Sequence, residues 1–108
     1  MTTNREQYLK RMGKPINESY SIPELSNMSG ISVRYLTEIF KRGIGAARTN
    51  PESVRIKGTF QKDPNMKRFP KSSRLSEEQW GYARLYSFLN KGKTYHTADS
   101  DIARKSGY

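Results

Sequence analysis

Residues 21–45, SIPELSNMSGISVRYLTEIFKRGIG, predict two short helices joined by a tight turn. The first helix is expected to begin after Ser21, because its hydroxyl and the Glu24 carboxylate can form a capping box. Gly30 is expected to end it, since glycine adopts the left-handed conformation of a helix C-terminus at little cost. Ser32 can cap the second helix. The stretch therefore predicts a hairpin of the helix-turn-helix kind.

Apolar residues at the spacing of a helix-turn-helix can fix the two helices to each other: Leu25, Ile31, Leu36 and Ile39. Ser26 supplies the small residue that the close contact in the first helix requires. Ser29 departs from the pattern, because an apolar residue is commoner there. Gly43 and Gly45 are expected to end the second helix, and the small residues around them permit close backbone approach. The sequence therefore fits the helix-turn-helix pattern at every position named here except Ser29.

Capping signals elsewhere predict further helices and no strands. Thr3 and Glu6 form a capping box for a first helix that stops at Gly13, and Ser76 and Gln79 form one for a long aromatic helix that ends near Gly92. A last helical turn is expected around residues 101–105. We therefore predict an all-α fold in a single domain of residues 1–108. Its parts are an N-terminal helix and linker (1–20), the helix-turn-helix-like unit (21–47), a basic loop (48–75), a core helix (76–91) and a tail (92–108).

The composition restricts the functional classes. The chain has 108 residues, a net charge of +10, 33% hydrophobic residues and no cysteine. The absence of cysteine excludes a disulfide framework and a thiolate zinc site. The beginning of the chain lacks an apolar leader, and no apolar run has membrane-spanning length, so neither secretion nor a membrane is expected. So strong a positive charge indicates an anionic partner, most simply nucleic acid.

The positive charge is concentrated in the middle of the chain. Ten Lys and Arg residues against Glu52 and Asp63 give residues 41–74 a net charge of +8. Three prolines and Gly58 interrupt this stretch, which predicts loop. It could be a solvated linker, or an arm that lies along phosphate or an acidic protein surface, and the clustering favours the arm. The residues predicted to bind through it are Arg48, Arg55, Lys57, Lys67 and Arg68.

Residues 21–45 also resemble the helix-turn-helix of AraC-type regulators, whose second helix often ends in a Leu-x-x-x-Phe-Lys pattern, here residues 36–41. The resemblance implies that the outward face of the second helix reads nucleic acid, namely DNA. Base edges or phosphates would be contacted by Ser32, Arg34, Thr37, Lys41 and Arg42. AraC-type regulators use two such units and this chain has one, so a sequence-specific reader would need to form a homo-oligomer. An ordinary helical hairpin with a polar surface remains the alternative.

A second resemblance covers more of the chain. KRGIGAARTNPESVR (41–55), RLSEEQWGYARLYSFLNKGK (74–93) and TADSDIA (97–103) resemble a family of small proteins of large algal DNA viruses and marine tailed phages. It implies a viral structural protein, in the virion, a minor capsid position or genome packaging. The location would be the virion or the host-cell interior, cytoplasm or nucleus. The basic segment would then bind nucleic acid or an acidic surface of viral capsid proteins.

Catalysis has little support in the sequence. The only imidazole is His96, in a polar stretch, and thiol chemistry needs a cysteine. Asp99 and Asp101 lack the further ligands that a hard cation requires. We therefore expect a protein that is not an enzyme and has no cofactor or metal. Two functions remain: a viral structural protein, and a helix-turn-helix DNA-binding regulator.

Overall fold

A computed structural model describes residues 2–108. These residues form an all-α domain without a β-strand. The helices are α1 (Asn4–Arg11), α2 (Ile22–Ser29), α3 (Val33–Thr49), α4 (Glu77–Leu89), α5 (Lys93–His96) and α6 (Ser100–Ser106). Two 3₁₀ turns, Pro51–Ser53 and Lys71–Ser73, lie in the connection between α3 and α4. The predicted fold class is therefore confirmed.

The predicted N-caps are formed, but of the three predicted capping boxes only those at Ser21 and Ser76 are complete, because Glu6 does not bond back to Thr3. Thr3, Ser21 and Ser76 each accept a hydrogen bond from the backbone N–H three residues further on, at the start of α1, α2 and α4. At Ser21 and Ser76 the side chain of that third residue accepts the N-cap amide in return. Each cap satisfies amides that have no partner within the helix. These three helix starts follow from local chemistry.

The hairpin of α2 and α3 has the predicted geometry. Its four packing residues, Leu25, Ile31, Leu36 and Ile39, are all buried. Gly30 ends α2 with φ 76°, in the left-handed region. The Ser26 hydroxyl donates to the Ile31 carbonyl at 2.6 Å, and the Ser29 hydroxyl accepts the Ile31 N–H at 3.2 Å. Serine at position 29 is thus explained, because its hydroxyl satisfies the backbone of the turn.

The predicted end of α3 at Gly43 and Gly45 is wrong, because the helix continues to Thr49. Gly43 lies where α3 crosses α4, and a Cβ atom placed there would be 2.7 Å from Cα of Gly81. The glycine is needed for close packing of two helices, not for ending one. The helix ends instead just before Pro51, since the residue before a proline avoids the helical conformation.

The core lies around α4, which packs against α1, α3 and α5. This confirms that the aromatic helix is buried on several sides. The helix ends at Leu89 instead of near Gly92, and Lys91 in the following turn has φ 52°. The short helix α5 was not predicted, whereas α6 contains the predicted last turn.

Candidate nucleic-acid interface

The basic segment, residues 48–75, folds around the side chain of Arg74. Only 1% of Arg74 is exposed, although arginine is seldom buried without a carboxylate partner. Its guanidinium donates to the backbone carbonyls of Glu52, Val54, Asp63 and Phe69. One cation therefore joins distant parts of the segment. The segment is loop, as expected, but it is a folded loop and neither an extended arm nor a solvated linker.

A short antiparallel pairing closes the segment. Ile56 and Arg74 form an isolated β-bridge, and the Lys57 N–H donates to the Ser73 carbonyl at 2.9 Å. Ile56 is buried, and so is Val54. Because side chains alternate along an extended stretch, the burial of Ile56 directs Arg55 and Lys57 to the other side. The fold thus fixes where these two cations project.

Most cations of the basic segment have no acidic partner. Within residues 2–108, no carboxylate lies within 4.0 Å of the cationic groups of Arg55, Lys57, Lys62, Lys67, Arg68 and Lys71. Partial burial lowers the pKa of Lys62, and the nearby charges of Lys93 and Arg55 lower it further. Like charges held this close to one another favour an anionic ligand between them.

Aromatic rings lie among these cations. The Arg55 guanidinium is 5.7 Å from the ring centroid of Phe60, and the Lys62 ammonium is 4.9 Å from that of Trp80. With Lys93 these residues form what we call the cation–aromatic cluster: Arg55, Phe60, Lys62, Trp80 and Lys93. Phe60 and Lys62 were missed as site residues. Basic and aromatic residues alternate after position 54, and this pattern could have indicated a binding site. It is equally typical of an ordinary loop.

The predicted reading face of α3 lies on the surface. Ser32, Arg34 and Lys41 are exposed, and Thr37 is partly exposed. The Arg34 guanidinium lies 5.4 Å from the ring centroid of Tyr35. Because α3 has 17 residues, it is about 25 Å long. The predicted reading residues lie from the N-terminus to the middle of this helix, whereas the basic segment begins in its last turn, at Arg48.

Two predicted phosphate contacts are held by carboxylates within the domain. Arg42 binds Asp101 through two hydrogen bonds, at 2.9 and 2.8 Å, and also contacts the fully buried Asp99 at 3.1 Å. Arg48 pairs with Glu77 at 2.6 Å. The structure therefore does not place Arg42 and Arg48 with the unpaired cations. These partners are far away in sequence, so no local pattern indicates the pairing.

The aspartates considered as metal ligands are used by arginines. Arg84 donates two hydrogen bonds to Asp99, which it shares with Arg42. The hydrogen bond from Arg42 lowers the pKa of Asp101 and raises that of Arg42. Across residues 2–108, no three His, Asp or Glu side chains are grouped to hold a metal ion. The described helices also include none that could cross a membrane.

An open groove of about 560 Å³ borders the cluster. The beginning of α1, the linker near Tyr20 and one side of α4 line it, with Tyr82 and Gln79 on the α4 side. Arg55 belongs both to this groove and to the cation–aromatic cluster. A ligand that contacts Arg55 could therefore extend over either surface.

Comparison with known proteins identifies no relative. No protein family, curated protein or solved structure matches the chain. The resemblances to AraC-type regulators and to the viral family therefore stay predictions. The functional proposal depends on the chemistry of the surface.

Proposed function

We propose that this protein is a non-enzymatic nucleic-acid-binding protein whose basic segment contacts the phosphate backbone. The observation that carries the proposal is the set of cations without a carboxylate partner, presented by a loop that the buried Arg74 holds in shape. Because the loop is already folded, binding would not have to order it, and less of the interaction energy is lost. On the viral resemblance, the setting would be a virion or the packaging of a genome.

The charge arrangement gives an expected salt dependence. Each phosphate neutralised by Lys or Arg releases condensed counterions, which lowers the logarithm of the binding constant by about 0.9 per unit of log salt concentration on duplex DNA. If all of the unpaired cations made such contacts, the slope would be about −5. An acidic capsid surface, the other anionic partner considered, lacks this condensed counterion layer.

The test is a salt titration of DNA binding with two matched triple variants. Lys57→Gln, Lys67→Gln and Arg68→Gln together remove three exposed charges from the basic segment. Lys10→Gln, Lys14→Gln and Lys105→Gln remove three exposed charges elsewhere. We expect the first variant to make the slope less steep by about 2.7 on duplex DNA, and the second to change it by less than one.

Two results would contradict the proposal. One is the absence of binding to any nucleic acid at low salt by the folded wild-type protein. The other is an equal loss of slope in the two triple variants, because binding would then depend on total charge and not on the basic segment. Binding of an acidic protein surface instead of nucleic acid would favour the capsid partner.

The exposed face of α3 favours a second candidate, a helix-turn-helix reader of DNA sequence. Its packing residues are buried, and Arg34 and Thr37 remain accessible in the first turns of the second helix. For a reader, Arg34→Ala should lower the affinity for a selected sequence by about 1 to 3 kcal/mol and leave random DNA nearly unchanged. Equal effects on both DNAs would exclude this role for Arg34.

A further inference from the structure

We infer that the cation–aromatic cluster binds single-stranded nucleic acid, with a base stacked on the Phe60 ring and phosphates held by Arg55 and Lys62. The inference rests on the proposed function, which it makes more specific. The proposed function asks only for phosphate contacts. The inference adds that unpaired bases are recognised at one defined place.

Phe60 is exposed at a position that the backbone fixes. Phe60 is 48% exposed, more than any other large hydrophobic residue in residues 2–108. Gly58, with φ 74°, makes the turn before it, and the Ile56 N–H donates to the Gln61 carbonyl at 3.0 Å across the turn. The Thr59 hydroxyl donates to the Ile56 carbonyl as well. A large apolar ring is thus presented to solvent by a closed turn.

The cations around Phe60 suit a charged strand that carries bases. Arg55 lies against the Phe60 ring, and Lys62 lies against Trp80 on α4. Lys93 adds a third charge, near enough to lower the pKa of Lys62. A phosphate beside Lys62 would offset this repulsion. The cluster therefore combines the two elements of single-strand binding: positive charge along the backbone and aromatic rings for the bases.

An undistorted DNA duplex offers the Phe60 ring no free base face on which to stack. In a duplex the base faces are stacked on one another, so a protein side chain on the outside meets only phosphates, sugars and groove edges. In a single strand every base has a free face, and stacking on an aromatic side chain is insensitive to sequence. Lys57, Lys67 and Arg68 can contact the phosphates of either form. Phe60 is the residue whose role differs between them.

The test measures fluorescence anisotropy with a labelled single strand of about 12 nucleotides and with the duplex of the same sequence. Three proteins are compared with the wild type. Phe60→Leu removes the ring and keeps an apolar side chain, and Phe60→Trp keeps an aromatic face. Ile16→Ala trims another exposed apolar residue, in the linker before α2. Circular dichroism of each variant checks that the helices are retained.

We expect Phe60→Leu to weaken single-strand binding about tenfold and duplex binding less than about twofold. Phe60→Trp should bind the single strand within about twofold of wild type, and Ile16→Ala should match wild type on both ligands. Trp80 is the only tryptophan, so a change in its emission on single-strand binding would place the strand at the cluster independently of the variants.

The outcomes separate the inference from the proposed function. Duplex binding as tight as single-strand binding, or equal losses on both ligands in Phe60→Leu, would overturn the inference and leave the proposed function standing. Unchanged single-strand affinity in Phe60→Leu would also overturn it. If the wild-type protein binds neither the single strand nor the duplex, both the inference and the proposed function are refuted.

Discussion

The crossing of α3 and α4 makes a sharp prediction for the variant Gly43→Ala. A Cβ atom at position 43 would lie 2.7 Å from Cα of Gly81 and 3.4 Å from the Trp80 carbonyl oxygen. Non-bonded carbon atoms prefer a separation of about 3.5–4.0 Å. The near atom is backbone, so no side-chain rotation relieves the contact. The two helices would have to separate by about 1 Å at the point where they are closest.

The magnitude follows from two opposing terms. Alanine is about 1 kcal/mol better than glycine in a helix interior, which favours the variant. Overpacking of a tight core typically costs about 1–3 kcal/mol, and here it loosens the contact between the two longest helices. We expect the upper part of this range, because the backbone atoms of α4 cannot yield separately. The net loss in free energy of unfolding should be about 1–2 kcal/mol, which lowers Tm by roughly 5–10 °C in a domain of this size.

Gly45→Ala is a matched control in the same helix. A Cβ atom at Gly45 would meet no atom within 4 Å, so only the propensity term remains and the variant should gain up to about 1 kcal/mol. Urea denaturation, followed by circular dichroism and by Trp80 fluorescence, gives both free energies. If Gly43→Ala were as stable as Gly45→Ala, the close crossing of α3 and α4 would be refuted.

The remaining predictions concern buried and paired charges. Arg74→Met leaves four backbone carbonyls without their donor, so we expect a loss of about 2–3 kcal/mol and faster tryptic cleavage within residues 57–68; cleavage at the wild-type rate would contradict the structural role of Arg74. For Asp101, the hydrogen bond from Arg42 holds the native pKa below the ordinary 3.8. Its contribution is therefore complete above about pH 4 and is lost as the pH falls through the lower native pKa. Asp101→Asn should be less stable than wild type by about 1 kcal/mol at neutral pH, with the difference shrinking in acid, and equal urea midpoints at neutral pH would refute the ion pair's contribution.

The parts of the fold that could be predicted are those decided by neighbours along the chain. The caps at Thr3, Ser21 and Ser76 each join residues three positions apart. The turn at Gly30 needs only a residue that tolerates positive φ. The predicted end of α3 was too early, because local sequence does not distinguish a glycine that ends a helix from a glycine at a helix crossing.

The candidate site could be predicted only as a region. The clustering of Lys and Arg identified the basic segment as a region of unusually high positive charge. It did not distinguish one cation of that region from another. In the structure Arg74 is buried, Arg42 is bound to Asp99 and Asp101, and Lys62 lies against the Trp80 ring of α4. Each of these roles depends on a partner distant in sequence. A count of charges along the sequence does not show which distant residue each cation contacts.

By itself, the sequence determined the all-α class, the capped starts of three helices and the packing face of the helical hairpin. These depend on hydrogen bonds and periodicity within a few residues, and the amino acids specify them directly. Only the tertiary structure decided that α3 runs past Gly43 and that a buried arginine shapes the basic segment. It also decided which cations have no carboxylate partner and which of these lie near Phe60. A cation at the surface and one in an ion pair have the same side chain, and the difference arises only when the chain brings its distant parts into contact.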